Sequence, residues 1–205
     1  MRRNLNAGHC PGVQARLAAG RVAVAGLGGL GSHVATALAR CGVGCLRLAD
    51  FDLVEPSNLG RQNYSLRHLG RLKTEALRDV LAEINPAVKI ETVQERLDCH
   101  NIPELLSGCE IIVEAFDNPK SKAELVTTAL AAFPEAAVIC GSGLAGVESA
   151  NLIRSRRAAA RLYICGDEQT EARQGRGLMA PRVMVCAGHQ ANLAVRLLLG
   201  RSEVD

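Results

Sequence analysis

Tryptophan is missing from this 205-residue chain, and its only aromatics are two tyrosines and three phenylalanines. So few rings leave no platform for stacked bases. A net charge of +3 supplies no basic field for a phosphate backbone. Nucleic acid is therefore not an expected partner. No apolar run approaches the ~20 residues of a membrane span, so a membrane is not expected either. The opening MRRNLNAGHCPG carries basic residues but lacks the apolar core of a secretory signal. None of the eight cysteines forms a C-x-x-C pair. No histidine has a ligand-spaced neighbour, and the adjacent Cys99-His100 reads as a solvated loop. Cys41, Cys45, Cys109 and Cys140 lie in or beside apolar runs and read as small buried hydrophobes. A disulfide framework is not expected, and a reducing cytoplasm is the compartment that fits.

What is present is aliphatic. Hydrophobic residues make up 48% of the chain, so the core must be built from Ala, Val, Leu and Ile. That composition suits a sheet covered by helices, and residues 1–205 are read as one domain. The organising stretch is VAVAGLGGLGSHVATALARCGVGCLRLADFD, residues 22–52. Residues 22–25 are apolar and of strand length. The glycine turn 26–31 follows at once. Residues 32–41 read as a helix with Val34, Ala35, Leu38 and Ala39 on one face, and 45–49 as a second strand ending at Asp50. Strand, G-x-G-x-x-G turn, helix, strand and acid make a nucleotide-binding βαβ unit. The glycines let the backbone approach a phosphate, and the helix N-terminus offers unpaired N–H groups. Asp50 stands where an acid accepts hydrogen bonds from ribose hydroxyls.

The remaining chain continues this rhythm. Pro11-Gly12 marks a turn, with a short helix possible over 13–19. Residues 51–64 are polar and hold Pro and Gly, so they form a loop at the carboxyl end of the second strand. One helical turn is expected near 66–70. Helices are expected over 72–85, 101–106 and 121–132, and strands over 88–93, 110–115 and 136–140. The order β-α-β-α-β-α-β-α-β predicts an α/β fold, a Rossmann-like doubly wound sheet, mostly parallel. An antiparallel C-terminal extension is expected from strands over 149–154 and 161–165, joined by the basic turn Ser155-Arg156-Arg157. Residues 166–177 read as a mobile loop, and 181–199 as a long helix capped by Gly200.

A glycine turn and an acid do not separate NAD from ATP. Three later residues do. Arg61 sits just past the ribose acid, Lys73 opens the next helix, and Asp117 ends the fourth strand. In an open α/β sheet all three converge on the carboxyl edge. Two cations would neutralise the β- and γ-phosphates of a triphosphate. A carboxylate among phosphates makes sense chiefly if it holds Mg²⁺. Asp117-Asn118-Pro119 also has the form of a helix cap.

GLGGLGS at 26–32, DFDLVEPSNLGRQ at 50–62, Lys73 and FDN at 116–118 resemble the adenylation domain of the ThiF/MoeB/HesA family, relatives of ubiquitin-activating enzymes. GLMAPR at 177–182 and AGHQAN at 187–192 resemble its compact ThiF-type branch, linked to thiamine biosynthesis. The resemblance implies an ATP-dependent adenylyltransferase that activates the C-terminal glycine of a ThiS-like ubiquitin-fold sulfur carrier. It implies that Gly26, Gly28, Gly29, Leu30, Gly31, Asp50, Asp52, Asn58, Arg61, Gln62 and Lys73 contact ATP. It gives Arg61, Lys73 and Asp117 the catalytic part, with Mg²⁺ on Asp117. It further implies a homodimer, in which an N-terminal Arg, here Arg2 or Arg3, reaches the partner's site. Many relatives hold zinc on two C-x-x-C pairs. This chain has single cysteines at Cys165 and Cys186, so no zinc is expected. Some relatives form a covalent link through a loop cysteine, for which Cys165 is the nearest candidate. The competing readings are an NAD-dependent oxidoreductase, which needs a substrate domain with a catalytic His or Lys, and activation of a tRNA-bound carboxylate.

Overall fold

The computed structural model describes residues 11–204. Arg2, Arg3 and Cys10 lie outside the described residues.

Helix α1 (Pro11–Ala19) leads into β1 (Arg21–Ala25), α2 (Gly29–Cys41) and β2 (Cys45–Ala49). A loop with two short 3₁₀ turns, Pro56–Asn58 and Leu66–His68, runs to α3 (Lys73–Ile84). Then come β3 (Lys89–Val93), α4 (Ile102–Leu105), β4 (Ile111–Glu114), α5 (Pro119–Ala132) and β5 (Ala137–Gly141). The last elements are β6 (Arg154–Arg157), β7 (Leu162–Gly166) and α6 (Ala180–Leu198).

The seven strands form one sheet in the order β3-β2-β1-β4-β5-β7-β6. All neighbours are parallel except β6 and β7. The strand order reverses between β1 and β4, so the crevice for a ligand opens there, beyond their carboxyl ends. The period-two alternation of the strands sorts the core into two layers. Val22, Val24, Ile111, Val113 and Ile139 point to the face covered by α2, α3 and α6. Ala23, Ala25, Ile112, Val138 and Cys140 point to the face of α4 and α5. No helix of the described residues is long and apolar enough to cross a membrane.

Two expectations need correcting. The penultimate strand is not 149–154. Residues Ala150–Leu152 form a 3₁₀ turn, and the strand is Arg154–Arg157, which takes in the whole basic segment 155–157 expected to be the turn. As the outer strand of the sheet it needs no apolar face, and its ladder to β7 holds it. The connection 166–177 has little regular structure but is anchored at both ends. Asp167 pairs with the buried Arg182, Arg176 pairs with Glu148, and the Gly146 N–H donates to the Gly177 carbonyl.

Glycine is required at two points of the first crossover. Gly26 has a φ of 89°, and a Cβ there would stand 2.8 Å from the Ala115 carbonyl oxygen. A Cβ on Gly31 would stand 1.8 Å from the carbonyl oxygen of Gly26. Backbone cannot yield as a side-chain tip can. Gly31→Ala is therefore expected to destabilise the fold by about 3 kcal/mol. Gly28→Ala meets nothing nearer than Gln62 Nε2 at 3.7 Å and should be tolerated. Thermal unfolding of both variants checks this; equal melting temperatures would contradict it.

Candidate functional site

The carboxyl ends of β1, β2, β4 and β5 frame one crevice, and the glycine turn is its floor. Gly28 is the N-cap of α2 and makes no side-chain cap. The first intrahelical bond runs from Ser32 N–H to the Gly28 carbonyl, so the N–H groups of Gly29, Leu30 and Gly31 precede the ladder. They give the crevice a positive floor. The Leu30 side chain points away, into the core beside Gly141. Gln62 is buried against Gly28, and its Oε1 has no partner among the described residues.

Asp50 closes one wall. One carboxylate oxygen accepts the Leu27 N–H at 2.7 Å, and the other accepts the Asp52 N–H at 2.8 Å. Burial pushes its pKa above the ordinary carboxylate range, while the Lys73 ammonium and these two N–H groups pull it back. Lys73 is itself buried, with Nζ 2.7 Å from Asp52 Oδ2 and 3.9 Å from Asp50 Oδ2. Its backbone N–H donates to the Asp52 carbonyl at 3.0 Å. The Tyr64 hydroxyl donates to the Leu27 carbonyl at 2.9 Å, and Tyr64 is likewise buried. The turn is thus held from two sides, by Asp50 and by Tyr64.

The loop after β2 carries the other cation. The buried Asn58 spends its amide on that loop, accepting from Glu55 N–H at 3.1 Å and donating to Ser57 Oγ at 3.3 Å. Arg61 Nη1 donates to the Ser57 carbonyl at 2.9 Å. A Cβ on Gly29 would lie 3.7 Å from the Arg61 carbonyl oxygen, which puts the Arg61 backbone against the first turn of α2. Asp117 reaches the crevice from the other side. It follows Ala115 and Phe116, whose atoms crowd Gly26, and it is exposed. Among the described residues nothing hydrogen-bonds to it or pairs with it, whereas the neighbouring Asn118 caps α5. Arg61, Lys73 and Asp117 make no hydrogen bond or ion pair with one another. Each borders the same glycine turn through a different neighbour.

The site holds groups the sequence did not single out. Glu114 ends β4 fully buried, paired with Lys122 of α5, and burial raises its pKa. Lys122 also donates to the Gly141 carbonyl at 3.0 Å, tying the ends of β4 and β5 together. Gln190 of α6 donates to the Glu114 carbonyl at 3.2 Å. An acid at the end of an apolar run and a lysine eight residues on were the only signals. Cys165 and Cys186, by contrast, are fully buried, and burial lifts their thiols to about 11 and about 12. Among the described residues no three His, Cys, Asp or Glu side chains cluster closely enough to hold a metal ion alone.

The chain is similar to proteins already characterised. Molybdopterin-synthase adenylyltransferase of Salmonella typhimurium is 35% identical over 185 residues, covering 87% of this chain and 72% of that one. The SAMP-activating enzyme E1 of Haloferax volcanii is 40% identical over 109 residues, 53% of this chain and 40% of that one. The crystal structure of E. coli tRNA N6-threonylcarbamoyladenosine dehydratase in complex with ATP superimposes with a TM-score of 0.86. At 19% identity over 97% of this chain and 93% of that one, it shows a shared fold. The ThiF family profile matches residues 1–205. This chain belongs to the ThiF family.

Proposed function

We propose that this chain is an ATP-dependent adenylyltransferase. Its acceptor is the C-terminal glycine carboxylate of a ThiS-like ubiquitin-fold sulfur carrier, in the thiazole branch of thiamine biosynthesis. The observation that carries the reading is the joint placement of an anion-binding helix end, the buried acid Asp50, and two cations along one sheet edge. A pyrophosphate dinucleotide has little use for two such cations, one with free donors and one able to exchange a carboxylate for phosphate oxygens. A triphosphate does.

The chemistry asks little of proton transfer. A C-terminal carboxylate has a pKa of about 3.5 and is ionised at neutral pH, so no general base is needed. One carboxylate oxygen forms a bond to the α-phosphorus. The bond from that phosphorus to the bridging oxygen breaks, and pyrophosphate departs with the electron pair. The chain's work is in-line positioning and cancellation of charge on the leaving group. In this reading Asp50 accepts from the ribose hydroxyls. The first-turn N–H groups of α2 and the Gln62 amide face the phosphates. Arg61 and Lys73 take the charge that develops on the departing pyrophosphate. Lys73 must then partly exchange Asp52 for phosphate oxygens, an exchange that its half-exposed partner permits.

Asp117 suits Mg²⁺, because its carboxylate is exposed and no described protein group competes for it. A bound Mg²⁺ would neutralise phosphate oxygens, with Asp117 as its one protein ligand and water completing the shell. Cys165 and Cys186 take no part in this reading. Cys165 is fully buried, out of reach of a carrier's C-terminus, and burial raises its pKa; in this reading sulfur transfer belongs to a different protein. The same reading gives the working enzyme as a homodimer in the cytoplasm.

Two measurements test these roles. With a Gly-Gly-ending carrier present, Arg61→Ala with the fold intact, and Lys73→Ala with some loss of stability because the buried Asp50 loses its cation, are each expected to lower ATP–pyrophosphate exchange by ~100-fold. Undiminished exchange in both variants would refute the assignment. Alkylation of the native chain with iodoacetamide should label the exposed Cys99 and spare Cys165 and Cys186 until unfolding. Rapid native labelling of Cys165 would reopen the thioester route.

A further inference from the structure

Arg61 is fixed within its own loop by two contacts. Its N–H donates to the Asn58 carbonyl at 3.1 Å, and its Nη1 donates to the Ser57 carbonyl at 2.9 Å. Neither contact fixes it relative to the helix end that faces the phosphates. That task falls to His33, in the second turn of α2. Its Nε2 lies 3.2 Å from the Arg61 carbonyl oxygen. A carbonyl can only accept, so Nε2 carries the proton and donates. His33 is half-buried, and burial lowers its pKa.

The neighbouring contacts hold the rest of the loop independently of His33. Asn63 is held separately on the same helix. Its N–H donates to Ser32 Oγ at 3.0 Å, and its Nδ2 donates to Thr36 Oγ1 at 2.6 Å. Ser32 Oγ in turn donates to the Gly28 carbonyl at 2.6 Å. The loop therefore stays docked on α2 without the imidazole. What is lost is the restraint on the Arg61 peptide, two residues upstream of that anchor.

We infer that His33 is a positioning residue. Through the Arg61 carbonyl it sets where the Arg61 side chain starts beside the first turn of α2, and so the contact of its guanidinium with the β- and γ-phosphoryl groups of ATP. The inference rests on the ATP reading proposed above.

Calorimetric titration of the full chain with ATP and with AMP, both with Mg²⁺, tests it without any carrier. His33→Ala is expected to weaken ATP roughly fivefold, the worth of one net hydrogen bond, and to leave AMP unchanged. His33→Gln, whose amide N–H reaches about as far as Nε2, restores ATP affinity. His33→Phe fills the space without a donor and behaves like His33→Ala. On an Arg61→Ala background, His33→Ala adds no further loss, because the two act as one unit. Wild-type ATP affinity in the Phe variant, failure of the Gln variant, an equal loss for AMP, or additivity with Arg61→Ala would each overturn the inference. A wild-type chain that binds neither nucleotide would instead defeat the ATP reading itself.

Discussion

The Asp50 carboxylate is the buried charge at which three elements meet. Through the Leu27 N–H it holds the glycine turn, and through the Asp52 N–H it holds the start of the long loop. Its charge faces Lys73, the first residue of α3. A buried carboxylate is costly unless hydrogen-bonded and paired. Satisfying Asp50 therefore dictates where the turn, the loop and the helix meet. The glycine turn and Lys73 both answer to one group at the end of β2, with Tyr64 as the second tether of the turn.

The two cations are held in different ways. Lys73 is sunk between two acids, so its charge is matched before any ligand arrives. Arg61 lies on a loop held through backbone contacts. Its guanidinium donates to one carbonyl and keeps other donors free. On the opposite wall Asp117 carries an unengaged carboxylate, while the buried Glu114–Lys122 pair fixes the strand ends beneath it. Preorganised charge of this kind suits a reaction whose demand is electrostatic and not acid–base.

Much of this was legible in the sequence, and the reason is period and punctuation. β2 spans the run 45–49 as read, because it is apolar and bounded by Gly44 and Asp50. α3 and α6 follow from their apolar spacing and their Pro and Gly boundaries. α2 begins at Gly29 instead of residue 32, since a glycine motif hides a helix start that packing makes affordable. β6 was misplaced because an edge strand of Arg-Ser-Arg-Arg has no apolar signature; its neighbour β7 defines it. Arg61, Lys73, Asp50 and Asp117 stand out in the sequence by motif and by their place at strand ends. His33, Tyr64 and Lys122 do not, since their contacts are with partners 28, 37 and 8 residues away. Such pairings are set by the fold and leave no local pattern.

The account turns on three phosphoryl groups being bound at this edge and one of them being transferred. Intact mass spectrometry of a Gly-Gly-ending ubiquitin-fold carrier, after incubation with this chain, ATP and Mg²⁺, measures that transfer directly. The account predicts a carrier heavier by one AMP, with the gain lost when ATP is omitted. An unmodified carrier across the candidate set, together with tight binding of NADH by the chain, would contradict it.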